Sequence, residues 1–99
     1  KTKFMSAELD FKKVLELEPK NAAAARGLGK VYFDQEKWQL AVDNFTLAIN
    51  NGATAEDYLF RGKSYFKLTK KKECCADLTK AGELGYLGID KEKQLAGCR

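Results

Sequence analysis

The sequence contains no histidine, one proline and only three cysteines among its 99 residues. Without histidine the chain lacks the commonest general base of enzymes, which excludes the usual hydrolase triads. The three cysteines, Cys74, Cys75 and Cys98, are too few for a disulfide framework, and their spacing fits no zinc motif. We therefore expect no enzymatic activity, no cofactor and no metal site.

Long hydrophobic runs are also missing from the sequence. No apolar stretch reaches the length of about 18 residues that a transmembrane helix needs, so no membrane span is predicted. Residues 1–5 lack the apolar segment and cleavage pattern of a signal peptide. The chain also starts without Met, so we expect a processed or trimmed protein, and the sequence indicates no particular compartment.

The net charge is +4, which mildly favours acidic partners. The basic residues are spread along the chain, except for the run Lys70-Lys71-Lys72. A short run of this kind is typical of a solvated turn and helix start. The charge therefore does not favour nucleic acid as a partner.

The chain repeats itself along most of its length. Residues 28–33 (LGKVYF) align with residues 61–66 (RGKSYF) at a shift of 33 positions, and a shift of 34 aligns Trp38 and Phe45 with Phe4 and Phe11. Such a period is the signature of helical repeat proteins. We therefore predict a single domain over 1–99, with the second helix of an incomplete unit at 4–20, complete units at 21–53 and 54–86, and a C-terminal capping helix at 87–99.

Each complete unit is predicted to contain two helices. Asn21 precedes the first helix of the middle unit as an N-cap, and Thr54 with Asp57 predicts a capping box in the last unit. No segment alternates polar and apolar residues as a strand would, so the predicted fold class is all-α. The second helix of the middle unit has an apolar stripe at helical spacing, formed by Trp38, Ala41, Val42, Phe45, Ala48 and Ile49.

These residues resemble the tetratricopeptide repeat family. The last unit departs from the family pattern at Arg61, which replaces a leucine, whereas Pro19 keeps the proline that closes a unit. The resemblance covers residues 4–85 and implies a right-handed superhelical stack of antiparallel helical hairpins, an α–α solenoid. The family's spaced Leu-Gly, Tyr, Ala, Phe and Ala are matched in the middle unit by Leu28-Gly29, Tyr32, Ala41, Phe45 and Ala48.

Two features of the hairpins are expected from the repeat. Gly29 lies mid-helix, where glycine costs roughly 1 kcal/mol relative to alanine, so we expect a close helix contact there with the small residue Ala41 opposite. The matched pair in the last unit is Gly62 and Cys74. Arg61 and Asp77 replace the neutral Leu28 and Asn44 together, and we predict an ion pair between them. The alternative is two unrelated surface charges.

The resemblance implies that the first helix of each hairpin lines a concave groove. Cations and aromatic rings then repeat along one face, which favours an extended or helical peptide with acidic groups. The alternative is that Phe33 and Phe66 pack beneath the neighbouring unit and that the lysines are ordinary surface residues. The predicted groove residues are Arg26, Lys30, Phe33, Asp34, Glu56, Leu59, Lys63, Phe66 and Lys67.

The C-terminal segment is predicted to cover the last unit. Asp90 is expected to cap its short helix, with Leu95 and Cys98 on the inner face. Cys74 takes the place of a small core residue, so plain packing is favoured for it. The other interpretation is a disulfide from Cys74 or Cys75 to Cys98, which needs an oxidising compartment.

The predicted function is a protein–protein interaction scaffold that binds a peptide or protein in the concave groove. The incomplete first unit indicates a piece of a longer repeat protein, since at least about three units are usually needed for stability. The alternative is self-association through the half-unit around Phe4, Phe11 and Val14. Nucleic-acid binding is less favoured, and it would weaken steeply with salt.

Overall fold

The computed structural model describes residues 2–98, with side chains from Met5 onward, so Phe4 of the first half-unit lies outside the described side chains. Within this part of the chain the protein is all-helical and has no strand, which confirms the all-α part of the predicted fold class. The six helices are α1 (Thr2–Leu17), α2 (Ala22–Asp34), α3 (Trp38–Asn50), α4 (Ala55–Lys67), α5 (Lys71–Glu83) and α6 (Ile89–Ala96).

The helices pack in the order of the chain. Each of α2, α3, α4 and α5 has 13 residues. Consecutive helices contact each other, most extensively within the pairs α2–α3 and α4–α5, and α2 also contacts α4. Equal helix lengths and neighbour-to-neighbour packing are consistent with a helical repeat.

The turns inside the two helical pairs have the same backbone geometry. Glu36 and Thr69 occupy matched places and both have positive φ, 62° and 61° respectively. In each turn the next residue reaches back to the end of the preceding helix, with the Lys37 amide donating to the Tyr32 carbonyl at 2.9 Å and Lys70 making the equivalent bond. This is the Schellman pattern of helix termination, here without the glycine that usually provides it.

The two predicted N-caps are confirmed. The Asn21 side chain accepts a hydrogen bond of 2.8 Å from the Ala24 amide at the start of α2. At the start of α4, Thr54 accepts from the Asp57 amide while the Asp57 carboxylate accepts from the Thr54 amide at 3.0 Å. These bonds satisfy amide groups that a helix leaves unpaired at its first turn.

Two clusters of buried residues form the core, one for each helical pair. Phe11 and Leu15 of α1 pack against the first cluster, which joins α1 to the first pair. Ile89 and Ala96 of α6 pack against the second cluster and join α6 to the last pair. The first cluster contains Leu28, Tyr32, Ala41 and Phe45, and the second contains Leu59, Cys74, Leu78 and Ala81.

Gly29 and Gly62 lie at close helix contacts, as expected. A Cβ on Gly29 would lie 3.0 Å from ring atoms of Phe45, so the nearest neighbour is this ring and not the small residue Ala41. A Cβ on Gly62 would lie 3.1 Å from the Asp77 Cβ and 3.3 Å from the Cys74 carbonyl oxygen. The absence of a side chain therefore leaves room for an aromatic ring at Gly29 and for a backbone carbonyl at Gly62.

The predicted ion pair between Arg61 and Asp77 is confirmed. The Arg61 Nε and Nη2 atoms each donate to one oxygen of the Asp77 carboxylate, both at 2.8 Å, so the pair is bidentate. Arg61 Nη1 also donates to the Thr46 hydroxyl of α3 at 3.0 Å. The hydrogen bonds to Asp77 raise the pKa of Arg61 above its ordinary value. The pair therefore joins α4 to α5 and also reaches the preceding unit.

The capping helix α6 differs from the expectation in its register. It begins one residue before Asp90, and its N-cap is Gly88 in the left-handed region, so the prediction that Asp90 caps the helix is wrong. Ile89 and Ala96 face the core, and Leu95, one position away around the helix, is 70% exposed instead of inward-facing. A Cβ on Gly82 of α5 would lie 2.9 Å from the Ile89 Cγ2, which shows how closely α6 approaches.

The structure shows which cysteine pairs with Cys98 and which packs in the core. Cys75 of α5 forms a disulfide with Cys98, which follows α6, and their Cα atoms are 5.6 Å apart. Cys74 is a free, fully buried thiol in the core of the last pair. Neighbouring residues on a helix point about 100° apart, so Cys74 faces α4 while Cys75 faces α6.

Candidate functional site

A cleft of about 250 Å³ opens beside α4, and α6 forms its opposite wall. Four of the predicted groove residues, Phe33, Lys63, Phe66 and Lys67, line this cleft together. The remaining lining residues are Cys74 and Leu78 of α5 and Glu92, Leu95 and Ala96 of α6. The lining is mostly apolar, with charged groups at its edge.

The two lysines of the cleft have different surroundings. Lys63 Nζ lies 3.7 Å from a carboxylate oxygen of Glu92 and 5.7 Å from the ring centroid of Phe60. Lys67 Nζ lies 5.7 Å above the ring of Trp38, and among the described residues it has no carboxylate within salt-bridge distance. An anion that enters the cleft can therefore pair with Lys67 without displacing a carboxylate of the protein.

Aromatic rings continue from the cleft towards the first helical pair. The Phe33 ring makes edge-to-face contacts with Trp38 at 5.3 Å and with Phe60 at 5.1 Å between centroids. Phe66, at the matched place in the last unit, is 44% exposed. Phe33 thus supports the neighbouring unit and lines the cleft, whereas Phe66 presents its ring to solvent.

Phe60 was not among the predicted site residues, although both Lys30 and Lys63 lie over its ring. The ring also stacks on Phe45 of the first core cluster, with centroids 5.8 Å apart. The matched place in the middle unit is Gly27, so the repeat gave no signal for an aromatic residue there. Its contacts with Phe33 and Phe45 arise from the packing of α4 on the preceding pair, which the repeat pattern does not predict.

Arg26 has a structural partner inside the protein. Its guanidinium donates to both oxygens of the buried Asp57 carboxylate, at 2.7 and 3.0 Å, and to the Gly52 carbonyl at 3.0 Å. The hydrogen bonds to Asp57 raise the pKa of Arg26. Because this cation is already neutralised, Arg26 joins α2 to the start of α4 instead of offering a free charge to a ligand.

The other predicted groove residues lie outside the cleft. Lys30 and Glu56 form an ion pair of 2.8 Å on the surface, where both side chains are more than a third exposed. Asp34 is exposed at the C-terminal end of α2. Leu59 lies in the core of the last pair, 4% exposed, because it is on the side of α4 that packs against α5. It is therefore not available to a ligand.

The buried thiol at the base of the cleft has no activating neighbour. Burial raises the pKa of Cys74, and the nearby Asp77 carboxylate raises it further. A raised pKa keeps the thiol protonated, and a protonated thiol is a poor nucleophile. The geometry of the cleft can therefore provide apolar contact and positive charge, which are the properties of a recognition site.

The described part of the chain contains no group of three or more His, Cys, Asp or Glu side chains placed to hold a metal ion. No helix in this part is long and apolar enough to cross a membrane. The chain matches no protein-family model, and no curated protein is significantly similar to it in sequence.

Proposed function

We propose that this chain is a tetratricopeptide-like interaction scaffold that binds an acidic peptide segment of another protein, with one apolar side chain of that segment in the cleft. The observation that carries the proposal is the convergence of Phe33, Phe66, Lys63 and Lys67 on one open cavity. The proposal assigns no catalytic chemistry to the chain.

The repeat architecture supports the scaffold part of the proposal. The repeat is supported by four helices of equal length, by matched left-handed turns at Glu36 and Thr69, and by glycines at matched positions in helix contacts. Stacked units of this kind offer extended concave surfaces for binding. The matched sequence positions 28–33 and 61–66 lie on α2 and α4, the helices that contribute to the cleft.

The chemistry of the cleft supports an acidic and partly apolar ligand. An aliphatic or aromatic side chain would replace water against Phe66 and Leu95, the exposed apolar residues of the cleft, which is favourable for apolar surface. A carboxylate beside it would reach the Lys67 ammonium, which has no internal carboxylate partner among the described residues. Charge-assisted hydrogen bonds of this kind are stronger than neutral ones.

The single tryptophan provides a direct assay. Trp38 contacts Phe33 and lies beneath Lys67, so occupation of the cleft should change its fluorescence emission. We expect a short peptide that alternates Glu and Leu to bind with a saturable change, and the matching Lys/Leu peptide to bind much more weakly. Equal binding of both peptides would contradict the proposal.

Two charge reversals test the site itself. Lys67→Glu should lower the affinity for the Glu/Leu peptide by roughly tenfold, because it removes one charge-assisted contact and adds repulsion. Lys72→Glu is the matched control, since Lys72 is an exposed lysine of α5 that does not line the cleft. An equal loss in both variants would show that only net charge matters and would contradict the assignment of the cleft.

Self-association is the second candidate function, and the exposure of α1 favours it. Met5, Leu9 and Leu17 are 60%, 64% and 77% exposed. Val14 is 37% exposed, whereas Ala48, at the matched place in α3, is fully buried. Contact with a second copy of the chain would bury part of this exposed apolar surface of α1. Light scattering over a range of concentrations tests this, and a constant monomer mass at high concentration would reject it.

A further inference from the structure

The cleft depends on α6 for one of its walls. Three of its nine lining residues, Glu92, Leu95 and Ala96, belong to this helix. Glu92 also pairs with Lys63 across the cleft at 3.7 Å. Without α6, the side chains of α4 and α5 would form an open surface with no opposite wall.

The helix α6 has little to hold it in place by itself. It has only 8 residues, none of them buried, and its N-cap Gly88 provides no side-chain hydrogen bond. Helices shorter than about 12 residues are marginal in water unless tertiary contacts support them. The non-covalent contacts that α6 has are the packing of Ile89 and Ala96 on the last pair and the partly exposed ion pair of Glu92.

The disulfide closes the segment that contains α6. Cys75 lies in α5 and Cys98 follows the end of α6, so the bond encloses the whole helix between two fixed points. Both cysteines are half-buried, which leaves the bond within reach of a thiol reductant. The free Cys74 is fully buried and faces α4, so a thiol reagent in solvent does not reach it.

We propose that the Cys75–Cys98 disulfide is a redox-controlled tether that assembles the ligand cleft by holding α6 against the last helical pair. This inference rests on the proposed function, because it concerns the regulation of the same cleft. In the oxidised protein the wall is present and the acidic peptide binds. In the reduced protein α6 leaves the last pair. The peptide then loses its contacts with Leu95 and Ala96 and binds more weakly.

The switching step is a thiol–disulfide exchange with a dithiol. A thiolate of the dithiol attacks one sulfur of the bond and displaces the other cysteine as a thiolate, which forms a mixed disulfide. The second thiol of the reductant, as a thiolate, then attacks the reductant's other sulfur in the mixed disulfide and displaces the second cysteine as a thiolate. The reductant is oxidised to a cyclic disulfide, and Cys75 and Cys98 each gain one electron and, after protonation, one proton.

The experiment uses the full chain with Cys74→Ala, so that only one disulfide can form. Alanine occupies the matched place in the middle unit, at Ala41, so this background should fold normally. Oxidised protein, dithiothreitol-reduced protein and the additional variant Cys98→Ser are compared. The readouts are amide hydrogen exchange in residues 89–96, helical content by circular dichroism, and binding of the Glu/Leu peptide by Trp38 fluorescence.

We expect the oxidised protein to protect the amides of α6 and to bind the peptide. The reduced protein and Cys98→Ser should lose this protection, keep protection in α2 to α5, and bind at least about tenfold more weakly. Unchanged protection or unchanged binding on reduction overturns the tether and leaves the proposed function intact. Loss of the entire fold on reduction also overturns it, whereas no binding by the oxidised protein overturns both proposals.

Discussion

The Arg61–Asp77 pair provides a test of how buried charge is accommodated between two packed helices. The Asp77 side chain is 7% exposed and that of Arg61 is 18% exposed. Both carboxylate oxygens accept hydrogen bonds from Arg61, at 2.8 Å each. The middle pair has Leu28 and Asn44 at the matched places, so the chain itself provides a neutral combination of residues at these two positions.

Removal of one partner should be much more costly than removal of both. Arg61→Leu leaves a carboxylate buried without a counter-charge, which typically lowers the free energy of unfolding by about 3–5 kcal/mol. Asp77→Asn should cost about 1–3 kcal/mol, because the amide oxygen still accepts one bond from Arg61. The double variant recreates the combination of the middle pair and should lie within about 1 kcal/mol of the wild type.

The assay is urea unfolding followed by far-UV circular dichroism, with the four proteins arranged as a double-mutant cycle. The control is Lys80→Ala, which removes an exposed ion pair of 3.8 Å with Glu83 and should change stability by no more than about 1 kcal/mol. Additive effects of Arg61→Leu and Asp77→Asn would refute the reasoning, because additivity means that the two side chains do not interact.

Three further predictions concern other parts of the protein. Gly29→Leu should lower the free energy of unfolding by about 1–3 kcal/mol, because the new side chain overlaps Phe45, and an unchanged melting temperature would refute this. The hydrogen bond with Lys12 lowers the pKa of Glu8 below its ordinary value, so the stabilisation from this carboxylate is present above the ordinary pKa and is lost as the pH falls through the lower folded-state pKa. Glu8→Gln should therefore reduce the loss of stability at acid pH in thermal melts at varied pH, and an unchanged acid dependence would contradict this. Burial raises the pKa of Cys74 and shields it, so N-ethylmaleimide should label it only on unfolding, and mass spectrometry that finds rapid native labelling would contradict this.

Local features of the fold were predictable from the sequence because their causes are local. The caps at Asn21 and Thr54 depend on residues within one helical turn, and the helices depend on apolar spacing along a single segment. The turns were less predictable, because Glu36 and Thr69 adopt the left-handed conformation that glycine or asparagine usually takes. Their matched positions in the repeat were the only indication.

The cleft was only partly predictable because its parts come from separate helices. The repeat predicted Phe33, Lys63, Phe66 and Lys67 as groove residues on the first helix of each unit, and these four line the cleft. It could not mark Glu92, because the segment after residue 85 is outside the repeat and the register of α6 is set by Ile89 against Gly82. It also could not exclude Leu59, whose burial depends on how α4 rotates against α5.

Matched repeat positions do not have equivalent roles here, and the reason is the partner that each side chain finds. Lys30 is paired with Glu56 at 2.8 Å, whereas Lys63, its match, has only the longer contact of 3.7 Å with Glu92. An acidic ligand must displace such internal carboxylates. Its favourable binding free energy is therefore smaller by the free energy of the ion pair that it breaks. The weakest internal competition lies beside Lys67, in the cleft of which α6 forms one wall. Under the proposed function, recognition of negative charge should therefore be concentrated beside Lys67, where the proposed disulfide tether would also act on it.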